Sequence, residues 1–177
     1  MNVYWDCVDN EGSIYYLGKT DKGLVVMTLA GEDEQLFLDR VREKVPGAVL
    51  VHDPERMAYE MQQLREYFTG ERHTFDVEFD LRGTDFQIAV WRALYDIPYG
   101  ETRSYLEIAT AIGNPKAVRA VGGACGKNPV SLIIPCHRVL GKSGAMTGFS
   151  AAGGIDSKQK MLHFEAQHTQ TGLFAPQ

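Results

Sequence analysis

The 177 residues are 44 % apolar and 23 % charged, the proportions of a globular chain that buries one good-sized core or two small ones. The opening MNVYWDCVDN lacks a basic run followed by an apolar one, and no apolar run approaches a membrane span, so neither a secretory leader nor a membrane anchor is expected. The net charge of −5 is uneven: residues 1–85 hold 9 Lys and Arg against 18 Asp and Glu, whereas residues 86–149 hold 7 against 3, an asymmetry that points toward nucleic-acid contact by the second stretch.

In chain order, SIYYLG (13–18), GLVVMTLA (23–30), AVLV (48–51) and FDVEF (75–79) predict strands, being β-branched or aromatic runs bounded by Gly, Asp or Lys. Met57, Met61, Leu64 and Phe68 recur at helical spacing, with Gly70 as the stop, and are read as core. Nothing in residues 1–80 reads as catalytic. DLRGTD (80–85) is a linker by composition, so the expected fold is α+β: a mixed strand–helix domain over 1–80, a mainly helical domain over 84–167, and a flexible tail over 168–177.

The second region is heavily punctuated. Thr84 and Gln87 form a capping box ahead of Phe86, Val90, Ala93, Leu94 and Ile97, and PYG (98–100) ends that helix. Ser104 and Glu107 form another ahead of Tyr105, Ile108, Ala109 and Ile112, which Gly113 stops. Asn114 as cap and Pro115 as first helical residue then predict a third helix to Cys125, burying Val118, Val121 and Cys125. Two short helices joined by a Gly-Asn turn make a helix-turn-helix. Lys116, Arg119 and Gly123 fall on the other face of its second helix, where two cations and a close-approach glycine suit a phosphate backbone, although a merely solvated face explains them equally well.

Three cysteines, Cys7, Cys125 and Cys136, are an odd number at unrelated spacings, which argues against a disulfide framework and for a reducing compartment. None forms a CxxC pair, so no metal site is expected. Cys136 precedes His137 in IIPCHRVLG (133–141), where a lone cysteine on an apolar run is more often buried filler than nucleophile. A thiol attacks as thiolate, and a neighbouring base lowers the cost of that ionisation. In extended chain, however, adjacent side chains face opposite ways, so direct contact does not follow from adjacency, and a water or a bend could connect the two. A last helix beginning at Asp156, with Gln159 in its cap, would turn Met161, Leu162 and Ala166 inward and carry Glu165 on the same stripe. A core-facing carboxylate needs a partner; His137 is one candidate, and a Lys or Arg is another.

The segment 84–139 closely resembles the O6-alkylguanine-DNA alkyltransferases, through PCHRV (135–139), IPYGETRSY (97–105), GNPKAVRAVG (113–122) and the NP pair (128–129), in the expected order and spacing. The resemblance covers about residues 84–165 and implies an RNase H-like first domain. It also implies a monomer, without metal or cofactor, that binds double-stranded DNA through the minor groove and flips an O6-alkylguanine out of the stack. The alkyl group would pass once and irreversibly to Cys136, with His137 as water-mediated base and Glu165 orienting it; O4-alkylthymine is a further possible substrate. By the same resemblance Arg119 fills the gap left by the flipped base, Tyr105 hydrogen-bonds guanine N3, Asn128 holds the helix-turn-helix to the active segment, and Val139 lines the pocket with Phe149 and Ser150. The chain departs from the family pattern where Phe149 replaces Tyr and SAAGGIDSK runs about two residues longer before Lys158. The expected location is cytoplasmic in a bacterium or archaeon and nuclear in a eukaryote. Two alternatives are an alkyltransferase-like lesion binder, which would lack the cysteine, and a Cys–His–Glu hydrolase, for which no oxyanion hole is recognisable.

Overall fold

The computed structural model describes residues 1–141 and 154–169, with the side chains of 154–156 left aside. Four strands form the first sheet: β1 (Asn2–Asn10), β2 (Ser13–Thr20), β3 (Gly23–Met27) and β4 (Val49–His52), in the order β3-β2-β1-β4. The first three are antiparallel neighbours, while β4 lies parallel to β1, which requires a crossover. That crossover is α1 (Glu34–Lys44), capped by Asp33 and buried through Phe37 and Val41. Next comes α2 (Pro54–Phe68), capped by Asp53 with Pro54 in its first turn; Met57, Met61, Leu64 and Tyr67 are its buried apolar side chains.

The fold is α+β, and several expectations need adjusting. β1 and α1 were not foreseen, because β1 lacks clear alternation and α1 presents only two buried apolar residues among charges. FDVEF is not a strand. Its backbone pairs singly instead: Leu24 N donates to Glu78 O, Asp80 N to Leu24 O, and Gln63 brackets Asp76. This pairing is close because Gly23 has φ +150°, and a Cβ there would stand 2.5 Å from the Glu78 carbonyl.

Both predicted capping boxes form. They begin α3 (Asp85–Tyr95) and α4 (Tyr105–Ala111), with each box's two reciprocal hydrogen bonds in place. α3 ends at Tyr95, before the PYG turn, and buries Val90, Trp91 and Leu94; Trp91 Nε1–H donates to the Ala124 carbonyl at 2.9 Å and so ties α3 to α5 (Val118–Gly126). α5 starts later than Asn114-Pro115 implied. Ala117 N instead closes a turn onto Asn114 O, and Ala117, without a side-chain bond, is the cap. The rotation leaves Val118 exposed while Val121, Ala124 and Cys125 are buried.

After α5 the chain passes through a 3₁₀ turn (Cys136–Arg138) into β6 (Val139–Leu140), which pairs parallel with β5 (Arg103–Ser104). α6 (Gly154–His168) closes the fold. It starts two residues before Asp156, whose proposed cap lies outside the described side chains. Ala166, expected inward, is exposed; among the described side chains of α6, Lys158 and Glu165 are the fully buried ones, with Met161 and Leu162 half-buried between them. One apolar cluster runs from Leu17, Met27 and Met61 through Trp91 to Ile134 and Val139, so sheet and helical region share a core. Met27 N also donates to Pro129 O, docking the segment before the cysteine on β3.

Candidate active site

The segment 128–139 is held by its own polar groups. Asn128 Nδ2 donates to Ile134 O at 2.7 Å and its Oδ1 accepts from Val130 N at 3.0 Å, closing a loop that contains Leu132 at φ +78°. A left-handed leucine is uncommon and strained, and persists where surrounding bonds overdetermine it. The loop delivers Cys136 as the first residue of the 3₁₀ turn, so Cys136 and His137 are not in extended chain.

Cys136 is buried, which pushes its thiol up, while a hydrogen bond from Asn128 and the charge of Lys158 pull in the other direction. The thiol therefore holds its proton until a base takes it. Cys125, on α5, is pushed up to about 12 by burial and lacks that Asn128 support.

His137 is fully buried. Its Nε2 lies 2.7 Å from Glu165 Oε2, and since a carboxylate only accepts, Nε2 must carry the hydrogen. Burial holds the imidazole below its ordinary value against the pull of Glu165, so the ring is neutral with its lone pair on Nδ1. That Nδ1 is buried and has no hydrogen-bond partner among the described residues. Glu165 also takes Arg138 in a fork, Nε to Oε1 at 2.8 Å and the terminal nitrogen to Oε2 at 3.0 Å, and Arg138 donates again to Ile97 O. Burial opposes ionisation of Glu165, yet His137 and Arg138 outweigh it and hold the carboxyl well below the usual range. Of the two partners foreseen for Glu165, the structure supplies both at once.

The β5–β6 pairing sets Ser104 against Leu140 and so starts α4 beside the acceptor segment. Tyr105 is half-buried there; its ring approaches Gly122 of α5, and Lys158 Nζ lies 5.9 Å above it. Lys158 donates to the Val139 carbonyl. Lys116, Arg119 and Gly123 are exposed at or on α5, and a Cβ at Gly123 would meet nothing within 4 Å. Phe149 and Ser150 lie outside the described residues. Among the described residues no group of three or more His, Cys, Asp or Glu is placed to hold a metal ion, and no helix is long and apolar enough to cross a membrane.

A buried thiol on a strained loop, with a neutral histidine and an Arg-neutralised carboxylate behind it, is a defined constellation, and known proteins share the chain that builds it. The family described as 6-O-methylguanine DNA methyltransferase, DNA binding domain, matches residues 85–167. The methylated-DNA–protein-cysteine methyltransferase of Mycolicibacterium paratuberculosis is 47 % identical over 156 residues, covering 86 % of this chain and 93 % of that one. This chain belongs to the methylated-DNA–protein-cysteine methyltransferase family. Among solved structures of that family, the Mycobacterium tuberculosis O6-methylguanine methyltransferase superposes with TM-score 0.80 at 41 % identity over 96 % of both chains. The M. tuberculosis OGT in complex with DNA gives 0.77 at 40 %, covering 95 % of this chain and 94 % of that one.

Three buried participants escaped the sequence. Arg138 lies inside the PCHRV signature, and nothing in that pattern shows its pairing with Glu165. Lys158 sits seven residues before Glu165, on the same helical stripe, and that spacing was the available signal. Tyr67 hydrogen-bonds Glu165 from α2, and nothing local to it announces that contact.

Proposed function

We propose that this protein repairs O6-alkylguanine in duplex DNA by moving the alkyl group onto Cys136, once per molecule. The observation that carries this reading is the buried Cys136 thiol beside a neutral His137 with an open Nδ1, in a chain of this family. The thiol proton passes to His137 Nδ1 through a water, and Glu165 stabilises the imidazolium that results. The sulfur attacks the alkyl carbon; the S–C bond forms as the C–O6 bond breaks, the Tyr105 hydroxyl hydrogen-bonds the departing guanine anion at N3, and that anion takes up the proton that His137 received from the thiol. No cofactor is needed, because sulfur displaces the soft alkyl carbon in one step. The thioether that results holds no displaceable proton, which makes the reaction single-turnover.

In-line access to the alkyl carbon demands that the base leave the stack, at a cost of a few kcal/mol. Arg119, exposed on α5, is the wedge that offsets part of it from the minor groove, with Lys116 on phosphate and Gly123 permitting close approach. Asn128 couples the helix-turn-helix to the acceptor loop, and Val139 lines the pocket. Residues 84–167 make the DNA-binding and acceptor domain and 1–80 its supporting domain. The protein acts as a monomer in the cytoplasm, consistent with three free cysteines.

Incubation with a duplex containing O6-methylguanine should place one methyl group on Cys136, read by intact and peptide mass spectrometry. Absence of transfer by the wild type, or full transfer by Cys136→Ala, refutes the assignment. Arg119→Ala should lose far more activity on duplex than on free O6-methylguanine; equal losses on both would remove the wedge.

A further inference from the structure

Glu165 Oε2 accepts three hydrogen bonds, and one of them is unaccounted for by the transfer chemistry. His137 Nε2 stands at 2.7 Å, Arg138 at 3.0 Å, and the Tyr67 hydroxyl at 2.7 Å. Tyr67 comes from the other end of the chain, on α2, and is 2 % exposed. Its ring packs among Phe75, Tyr99 and Phe164, contacts that a phenylalanine would make as well. The hydroxyl is what differs, and it is aimed at the carboxylate behind the histidine.

We infer that Tyr67 is a positioning residue for the alkyl transfer: its hydroxyl draws on the Glu165 charge, which keeps His137 neutral and its Nδ1 open to the thiol proton. This inference rests on the repair reading above. Three donors on one oxygen share its electron density, so each weakens the others. With Tyr67 absent, the carboxylate concentrates on Arg138 and His137, and the imidazole becomes the stronger base. A stronger base is harmful here, because an imidazole protonated before substrate arrives cannot accept at Nδ1. The phenol is a dependable donor, since burial and the adjacent Glu165 push its ionisation well above the ordinary range. The other charged or titratable groups facing the cluster are Arg138 from the 3₁₀ turn, Lys158 and His168 from α6, His73 after α2, and Tyr99 before β5. A Tyr67→Phe exchange alters none of these directly.

The test is Tyr67→Phe, with incorporation of 3-fluorotyrosine at position 67 as the second variant, since a more acidic phenol is a stronger donor of unchanged shape. The imidazole nitrogens of His137 are titrated by NMR in DNA-free protein, and methyl transfer from an O6-methylguanine duplex is timed across pH. Tyr67→Phe should raise the His137 midpoint by about half to one pH unit, the scale of a hydrogen bond to a charged group. Transfer should be slower by up to roughly 3- to 10-fold at pH values below the wild-type His137 midpoint and converge on wild type as pH rises and His137 loses its extra proton. The fluorinated protein should move the midpoint the opposite way, and it carries the test alone if Tyr67→Phe does not fold. An unmoved or lowered midpoint in Tyr67→Phe, a fluorinated midpoint that does not fall, or a rate loss of equal size at every pH, overturns the role of Tyr67. The titration needs no substrate, so a wild type that transfers nothing would refute the repair reading by a separate result.

Discussion

Glu165→Gln removes one buried negative charge while keeping the side chain's shape. Glu165 is 1 % exposed and Arg138 7 %, so solvent does little to replace the lost partner. The guanidinium would remain buried with its Ile97 bond and no counter-charge, and the new amide would turn donors toward the donors of Arg138, Tyr67 and His137. Breaking a buried pair by removing one member costs about 3–5 kcal/mol. For a chain of this size that is a fall in Tm of roughly 6–20 °C. The pH dependence has a definite sign. A carboxyl depressed below its ordinary value of 4.5 stabilises the fold above that pH, and the contribution disappears as pH falls. His137, buried and depressed, likewise favours the fold at neutral pH, and that support declines as pH drops below its ordinary 6.5. Wild type should therefore lose stability steadily on acidification, and Glu165→Gln should lose less between about pH 5 and pH 3 because one contributor is gone. Urea titrations of wild type, Glu165→Gln, Arg138→Met and the double variant at several pH values measure this. The double variant should recover most of the loss, since neither charge is then stranded. A single-variant cost below about 1 kcal/mol, or a double variant as unstable as the sum of the two, would refute the buried-pair reasoning.

Asn128→Ala strips the acceptor loop of two backbone hydrogen bonds and the thiol of its donor; a stability loss of about 2–4 kcal/mol is expected. Its thiol titration, followed by ultraviolet absorbance, should move to higher pH, and an unshifted titration would show that Asn128 supports only the loop. Gly23→Ala drives a Cβ into the Glu78 backbone at a left-handed position, and calorimetry should show about 2–4 kcal/mol of destabilisation with unchanged transfer per folded molecule. Lys158→Met removes a buried cation that assists the Cys136 thiolate and holds the Val139 carbonyl; transfer should slow most at neutral pH and recover partly at high pH, which stopped-flow measurements across pH would read.

Much of the helical region was legible because its determinants are local. Thr84 with Gln87, and Ser104 with Glu107, satisfy orphan helix donors three residues away, so the boundaries of α3 and α4 follow from short stretches of chain. The start of α5 was misjudged for a related reason. Asn114 and Pro115 suit a helix entry, but they suit a turn too, and the bond from Ala117 N to Asn114 O chose the turn. FDVEF has strand composition, yet a strand requires a ladder; with single bonds to Leu24 and side-chain bonds from Gln63, it has none.

The sequence by itself determined the family, through PCHRV and its flanking motifs, and through that resemblance marked out Cys136, His137 and Glu165. Only the tertiary structure decided what surrounds them. A histidine's tautomer depends on which partner reaches each nitrogen, and the partner of Nε2 lies 28 residues away on another helix. The charge state of Glu165 depends on Arg138, and its third partner is Tyr67, 98 residues earlier. Periodicity and capping act over one or two turns of chain, whereas these contacts exist only when α2, α6 and the 3₁₀ turn converge on one buried volume. In that volume a few ångströms decide which groups hold protons.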